Sequence, residues 1–275
     1  MKKKYHIIGK PLSHSLSPLL HNYWFKKYKI DAEYTCLETE ENNFINIIDK
    51  VKHEEISGIN VTLPYKQKII PFLGKIVNDA KETFSVNTIF LDDNKNVIGE
   101  NTDVFGLQAG YFKEILNNEG SDKNALVLGA GGVSPSIILA LIKSNIKNIS
   151  LANRTYEKSL FLKKKFPSIN ILKWEEYINK TKNYDIIING TSLGLNNEKN
   201  FEIFFKDVKE NLVYIDTIYN PFQTQMIKHL KSKNIKTYNG LDMLIYQGQK
   251  SFYIWHKINP EIDNELINLL EAKIK

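Results

Sequence analysis

Residues 126–134, Leu-Val-Leu-Gly-Ala-Gly-Gly-Val-Ser, restrict what this chain can fold into more than any other stretch. Three apolar residues run into a glycine cluster, and apolar positions resume at Ile137, Ile138, Ala140, Leu141 and Ile142. The periodicity therefore changes from strand-like to helix-like across one short loop, which predicts a strand, a tight turn and a helix. Gly129 suits the turn. Gly131 and Gly132 leave bare backbone that a diphosphate can approach, and the helix start offers N–H groups and the positive end of its dipole. Ser134 holds the third fingerprint position; it is small and is predicted to cap the helix, with Pro135 at the first helical position. A plain strand-to-helix turn fits the same residues, so residues further along the chain have to discriminate.

A strand over 149–153 ends in Arg154-Thr155, with Lys158 just beyond. An NAD-binding fold of this type places Asp or Glu about 20 residues past the loop, to hold the ribose 2′-hydroxyl. Here the position is basic. A guanidinium plane over adenine with a lysine beside it suits a 2′-phosphate, which a carboxylate would repel. As mere surface charges at a helix start, the same residues would oppose the helix dipole. NADP is therefore expected rather than NAD. Residues 184–189 read as a buried strand, and Gly190-Thr191-Ser192 forms a second small-residue loop expected beside the first. A strand over 212–219, a helix to about Lys231 and a short strand over 236–239 come next, before Gly240. The alternation from 124 to 239 predicts a doubly wound parallel sheet, entered through the polar stretch 117–123.

The N-terminal part also alternates. Residues 5–8 read as a strand, and a helix starts near Pro18 and runs through Leu19, Leu20, Tyr23, Trp24 and Phe25. Between them Ser13, Ser15 and Ser17 alternate. In an extended segment they would aim three hydroxyls the same way; alternatively Ser17 caps the helix ahead of Pro18. A strand over 32–37, a helix over 44–51 with an isoleucine-rich face and a strand over 56–62 come next, the last stopped by Pro64. Thr62-x-Pro64-x-Lys66 sets a hydroxyl and an amine at the C-terminal edge of that strand, where open α/β sheets bind ligands; a solvated lysine on a following helix would read the same way. Residues 85–91 and 97–103 form a hairpin around 92–96. Asp103 either caps the helix containing Phe105, Leu107, Tyr111, Phe112, Ile115 and Leu116 or takes part in catalysis. Residues 241–258 and 261–274 have helical periodicity and are expected to pack back on the N-terminal domain.

The net charge of +6 is spread over the 275 residues, with lysine runs only at 2–4 and 163–165, which favours anionic small molecules at least as much as nucleic acid. Neither an interleaved aromatic-basic motif nor a helix-turn-helix signature is present. Cys36 is the single cysteine, and the six histidines lack metal-ligand spacing, so neither a disulfide framework nor a metal site is expected. Without an apolar run of about 18 residues or a signal-peptide pattern, a soluble cytoplasmic protein is expected.

Nine segments, in order, resemble the shikimate dehydrogenase family. They are Ser-His-Ser-Leu-Ser-Pro (13–18), Asn-Val-Thr-Leu-Pro-Tyr-Lys (60–66), Val-Asn-Thr (86–88), Asn-Thr-Asp (101–103), Gly-Ala-Gly-Gly-Val-Ser (129–134), Asn-Arg-Thr (153–155), Asn-Gly-Thr-Ser (189–192), Asp-x-x-Tyr-Asn-Pro (216–221) and Gly-Leu-Asp-Met-Leu-x-x-Gln-Gly (240–248). The resemblance implies an α/β chain with an N-terminal substrate-binding domain (1–103 with 240–275), a Rossmann-like NADP domain (104–239) and an active site in the cleft between them. It implies that NADP is used to interconvert 3-dehydroshikimate and shikimate in aromatic amino-acid biosynthesis. Ser15, Ser17, Thr62, Asn87, Tyr219 and Gln247 would bind the small-molecule substrate, together with a catalytic pair, Lys66 and Asp103. Gly129, Ala130, Gly131, Gly132, Val133, Asn153, Arg154, Thr155, Lys158 and Gly240 would hold NADP, with Thr217 near the nicotinamide. A monomer or homodimer is expected, with no nucleic-acid or membrane partner. The alternatives are an NAD-using quinate or shikimate dehydrogenase and a non-catalytic metabolite- or nucleotide-binding homologue. Three places depart from the family pattern: Phe84-Ser85 where Gly-Ala is usual, Asn78 where an acid is common, and His256-Lys257 where Thr-Gly often follows Trp255. The chemistry agrees with the residue types. Hydride exchange at a secondary alcohol carbon also moves the hydroxyl proton, which an amine can accept, or as ammonium donate to the carbonyl.

Overall fold

The computed structural model describes residues 2–116, 120, 122–197 and 199–274. The chain divides into two units, Met1–Gly106 with Leu244–Lys273, and Leu107–Met243 with Ile274–Lys275.

The first unit begins with β1 (Lys3–Gly9), α1 (Ser17–Lys27), β2 (Ala32–Glu38), α2 (Phe44–Lys52) and β3 (Gly58–Val61), then β4 (Lys75–Ile76), α3 (Asp79–Thr83), β5 (Thr88–Leu91), β6 (Val97–Glu100) and the start of α4 (Asp103–Leu107). Its sheet runs β2-β1-β3-β5-β6-β4. β1 is parallel to β2 and β3, whereas β3–β5 and β5–β6 are antiparallel. The hairpin at 92–96 accounts for the β5–β6 pairing: the Asp92 carboxylate accepts the N–H groups of Asn94 and Asn96, and two residues tied this way reverse the chain. α2 carries Phe44, Ile47, Ile48 and Val51 on one face, at the spacing of a helix stripe. They join Ile8, Ile59, Val61 and Ile89 in one core.

The second unit continues from α4 through a π-helical turn, Gln108–Phe112, into α5 (Lys113–Leu116). It then alternates β7 (Asn124–Leu128), α6 (Ser134–Lys143), β8 (Asn148–Asn153), α7 (Tyr156–Lys165), β9 (Asn170–Lys173), α8 (Trp174–Tyr177), β10 (Ile186–Asn189), β11 (Val213–Asp216), α9 (Gln225–Lys231) and β12 (Lys236–Tyr238). The sheet order is β12-β11-β10-β7-β8-β9 and every pairing is parallel. The expected doubly wound sheet is present, and its order reverses beside β7, the place where such sheets bind ligands. β9 and α8 are not legible in the sequence, because Asn170–Lys173 is a short edge strand with polar ends and no alternation. Of the polar stretch 117–123, residues 117–119 and 121 lie outside the described residues.

α10 (Leu241–His256) and α11 (Asn264–Glu271) return the chain to the first unit, as their amphipathic pattern suggests. Trp24 Nε1 donates to the Glu261 carbonyl at 3.0 Å, Tyr23 donates to Asp263 at 2.8 Å, and Trp255 Nε1 donates to the Ile89 carbonyl at 3.1 Å. Among the described residues, no helix is long and apolar enough to cross a membrane.

Candidate active site and nucleotide turn

In the first unit, Lys66 lies on the turn after β3, and its carbonyl accepts the Val86 N–H at 2.8 Å. Its Nζ meets Asp103 Oδ2 at 2.5 Å, with both side chains mostly withdrawn from solvent. Asp103 does not cap its helix. Asn101 does so instead: its Oδ1 accepts the N–H groups of Asp103 (3.0 Å) and Val104 (3.3 Å). Of the two readings the sequence allows for Asp103, this removes the capping one. With a neighbour serving the helix end, the Asp103 carboxylate is free to hold Lys66 through one oxygen and to accept from Asn87 Nδ2, at 2.8 Å, through the other. A buried ion pair that is also hydrogen-bonded tolerates the loss of water that an unpaired charge would not.

The Asn87 amide has a determined orientation. Its Oδ1 accepts the Thr102 backbone N–H at 2.7 Å, a group that can only donate, so the NH2 side must face Asp103 and Gln247 Oε1 (3.3 Å). Beneath it, the hydroxyls of Thr88, Thr102 and Ser251 touch one another at 2.8 to 3.3 Å, and Asn60 Nδ2 donates to Thr88 and Ser251, both at 3.1 Å. Sequence reasoning missed Asn101, Thr102, Thr88, Ser251 and Asn60. The first three and Asn60 lay within the matching segments 101–103, 86–88 and 60–66 without being given a role; for Ser251 there was no signal.

Lys66, Asp103, Asn87 and Gln247 are thus brought together by hydrogen bonds. Ser15, Ser17 and Thr62 make none to that group among the described residues. Two expectations for the serine loop are overturned. Residues 13 and 14 form a turn, closed by Ser15 N–H to the Leu12 carbonyl at 3.0 Å, so the three serines do not lie along an extended ribbon: Ser13 is exposed, Ser15 half-buried and Ser17 buried. Nor does Ser17 cap α1; Leu16 is the N-cap residue and Ser17 the first residue of the helix, its N–H donating to Ser15 Oγ at 3.4 Å. Thr62 extends the β1–β3 ladder, donating its N–H to the Ile8 carbonyl at 2.9 Å.

In the second unit, Gly129 has φ +99°, and a Cβ there would come within 2.7 Å of Thr191 Cγ2, so a side chain is excluded twice over. The loop of Thr191 lies beside the glycine turn, as anticipated. Ser134 differs from its expected role. Val133 is the N-cap residue, Ser134 opens α6 and Pro135 is second. The serine hydroxyl braces the turn instead, donating to the Gly129 carbonyl at 2.7 Å and accepting the Gly131 N–H at 3.0 Å. Asn153, at the end of β8, accepts the Ala130 N–H at 2.9 Å and donates to the Thr155 carbonyl at 2.7 Å, joining this turn to the next. A Cβ on Gly132 would meet nothing within 4 Å, so the backbone surface there is open. Arg154, Thr155 and Lys158 are exposed, and among the described residues neither cation has an ion-pair partner. Thr217 donates its N–H (3.1 Å) and hydroxyl (2.8 Å) to the Asn189 carbonyl, and Gly240 donates to the Ile218 carbonyl at 2.9 Å, packed so closely that a Cβ would strike the Thr217 carbonyl. Tyr219 comes next in the same turn.

The departures from the family pattern have physical consequences. Asn78 donates to Glu100 Oε2 at 2.7 Å, a contact that a carboxylate at 78 would turn into repulsion. Phe84 sits in the left-handed region at φ +50°, where glycine is at ease and a benzyl side chain is not. His256 packs into a ring cluster with Phe252 (4.6 Å), Tyr5 (5.2 Å) and Phe25 (5.5 Å).

An all-parallel sheet that reverses its order beside a glycine turn, in a chain that also carries a buried lysine–aspartate pair, defines a two-unit α/β protein of the dinucleotide-fold class. Residues 7–89 match the family model of the shikimate dehydrogenase substrate binding domain, and residues 112–239 match that of shikimate / quinate 5-dehydrogenase. The chain belongs to the shikimate dehydrogenase family. It is 47% identical over 272 residues to shikimate dehydrogenase (NADP(+)) of Pelagibacter ubique strain HTCC1062, covering 99% of this chain and 100% of that one. The crystal structure of shikimate dehydrogenase from Aquifex aeolicus superposes with a TM-score of 0.87 at 34% identity, covering 100% of this chain and 98% of the other. The shikimate 5-dehydrogenase of Thermus thermophilus, solved with NADP(H) and shikimate, gives 0.84 at 26% identity, covering 98% of each.

Proposed function

We propose that this chain catalyses the reversible, NADP-dependent reduction of 3-dehydroshikimate to shikimate, in the cytoplasm, on the route to chorismate and the aromatic amino acids, as a monomer or homodimer. The observation that carries the reading is the Lys66–Asp103 pair at 2.5 Å, with Asn87 and Gln247 joined to it. Residues 1–103 with 240–275 form the substrate-binding domain and residues 104–239 the NADP domain. Ser15, Ser17, Thr62, Asn87, Tyr219 and Gln247 take the carboxylate and hydroxyls of the substrate, beside Lys66 and Asp103.

The chain fits NADP on its own evidence. The Gly129 turn, with Ala130, Gly131, Gly132 and Val133, leaves open backbone for a diphosphate, while Asn153, Arg154, Thr155 and Lys158 hold the adenosine end and Thr217 and Gly240 the nicotinamide end. The exposed Arg154 and Lys158 suit a dianionic 2′-phosphate. NADP, when bound, supplies hydride exchange with the substrate carbon. The protein moves the proton. As an ammonium, Lys66 Nζ donates to the substrate oxygen in the reductive direction; as an amine it takes the hydroxyl proton back in the oxidative one. Asp103 aims that nitrogen and Asn87 aims Asp103.

Purified protein assayed with shikimate or quinate and with NADP or NAD tests the reading. Shikimate with NADP is expected to give the highest kcat/KM, and Arg154→Asp to narrow the NADP preference. Absence of shikimate oxidation with either cofactor at high protein concentration would leave a binding protein, and an unaltered preference in the variant would remove Arg154 from cofactor selection.

A further inference from the structure

Asp216 is fully buried at the end of β11, and the proton chemistry proposed above does not use it. Its carboxylate gathers donors from three segments. Oδ1 accepts from Asn189 Nδ2 at 3.0 Å, at the end of β10, and from the Ile218 N–H at 3.1 Å, in the turn after β11. Oδ2 accepts from the Thr224 hydroxyl at 2.9 Å, at the N-terminus of α9, and from Tyr214 at 3.3 Å. Asn189 carries the tie onward. Its Oδ1 accepts the Thr191 hydroxyl (2.6 Å) and N–H (3.0 Å), its Nδ2 donates to the Leu193 carbonyl (3.1 Å), and its own carbonyl holds Thr217. Two side chains therefore lock the turns after β10 and β11 to each other, and Thr191 in turn bears on Gly129.

Strand order says what lies over these turns. β7 carries the diphosphate turn, β8 on one side ends in Arg154, and β10 and β11 lie on the other side. A dinucleotide whose 2′-phosphate is at β8 and whose diphosphate is at β7 extends its remaining ribose and base over the ends of β10 and β11.

We propose that Asp216, with Asn189, is a positioning residue for the nicotinamide half of NADP. This rests on the cofactor reading above. Donor and acceptor accounting makes the role specific. An asparagine at 216 keeps one carbonyl oxygen for Asn189 and Ile218, and its NH2 can donate to Thr224 and Tyr214, whose hydroxyls also accept. An alanine leaves Asn189, Ile218, Thr224 and Tyr214 short of a partner inside the protein, so the turns repack.

The test uses the full chain and measures the Kd of NADP and of adenosine 2′,5′-bisphosphate, the half of the cofactor that ends at the diphosphate. Asp216→Ala is expected to weaken NADP at least about tenfold while changing the bisphosphate less than about twofold, and Asp216→Asn to stay within about threefold of the parent for both. Asn189→Asp, which sets a second carboxylate against Asp216, is expected to reproduce the selective loss and serves if the alanine variant does not fold. Unchanged NADP affinity in a folded Asp216→Ala or Asn189→Asp protein overturns the proposal, as does equal loss of both ligands, which would mark a general structural role. If the parent protein binds neither ligand, the cofactor reading itself has failed; that result is distinct from either of the others.

Discussion

The two units prepare for a ligand by opposite means. The first presents side chains, namely an ammonium, a carboxylate and two carboxamides gathered from Lys66, Asn87, Asp103 and Gln247. The second presents backbone, an open glycine turn whose shape is held by Ser134, Asn153 and Thr191. The contrast comes from the chemistry. A proton must be moved by a titratable group placed to within hydrogen-bond reach, which costs a support network. A diphosphate needs only N–H groups and room, which a helix start and glycines provide.

That contrast can be broken most severely at Lys66. Lys66→Ala is expected to lower kcat by roughly 10²- to 10⁴-fold, the range for loss of a general acid–base, with the shikimate KM within a few-fold. Steady-state kinetics decide it, and a retained kcat would mean that the first unit does not act through this amine. In the second unit, a methyl is the sharper probe. Gly129→Ala must place a side chain at φ +99° and 2.7 Å from Thr191 Cγ2, which costs about 1–3 kcal/mol, whereas Gly132→Ala meets nothing. At about 2–4 °C per kcal/mol, the first should lower Tm by several degrees and the second leave it unchanged. Equal melting of the two variants would deny that turn shape matters.

Acid should separate the units. In the first, His21 is buried against Tyr34 (4.5 Å, stacked) and Trp24, with neither ring nitrogen partnered among the described residues, and burial pulls its pKa down to about 3. Burial takes His256 down to about 4. Unfolded, both would titrate near 6.5, so below that pH protons bind the unfolded state preferentially and stability is lost as pH falls from about 6.5 toward 4. In the second unit one fully buried group has the opposite sign, although the ion-paired Asp185 and Glu114 have lowered pKa values. Burial raises Asp216 to about 6 from an ordinary 3.8, so this group favours the folded state increasingly as pH falls through 6. Calorimetry between pH 7 and 4.5 is expected to show the first unit melting earlier on acidification, and His21→Phe to reduce that drift; a pH-independent first transition would contradict the assignment. The smallest effect is expected at Phe84, where left-handed backbone carries a half-exposed benzyl group. Phe84→Gly exchanges strain for chain entropy and should gain up to about 1 kcal/mol, read as a rise in Tm.

What could be read in advance divides along the same line. The glycine turn, the basic residues after β8 and the alternation of the second unit were legible because each rests on neighbours within a few residues, where local backbone geometry and side-chain type suffice. Helix caps were less so. Ser17 and Ser134 both precede proline and were expected to cap, yet each lies one position inside its helix, since its hydroxyl found a closer partner or the preceding residue already occupied the cap.

By itself the sequence determined the fold class, the glycine turn and the residue types available for the chemistry, because hydrophobic period and turn residues act locally. Only the tertiary structure decided which of those residues meet. Asn101, not Asp103, caps α4, and the carboxylate thereby released meets Lys66, which lies 37 residues earlier in the chain. Gln247 reaches Asn87 across 160 residues, and Asn189 reaches Asp216 across 27. Such pairs are chosen by buried donors and acceptors that must find partners once water is excluded, a requirement that exists only after the chain has folded.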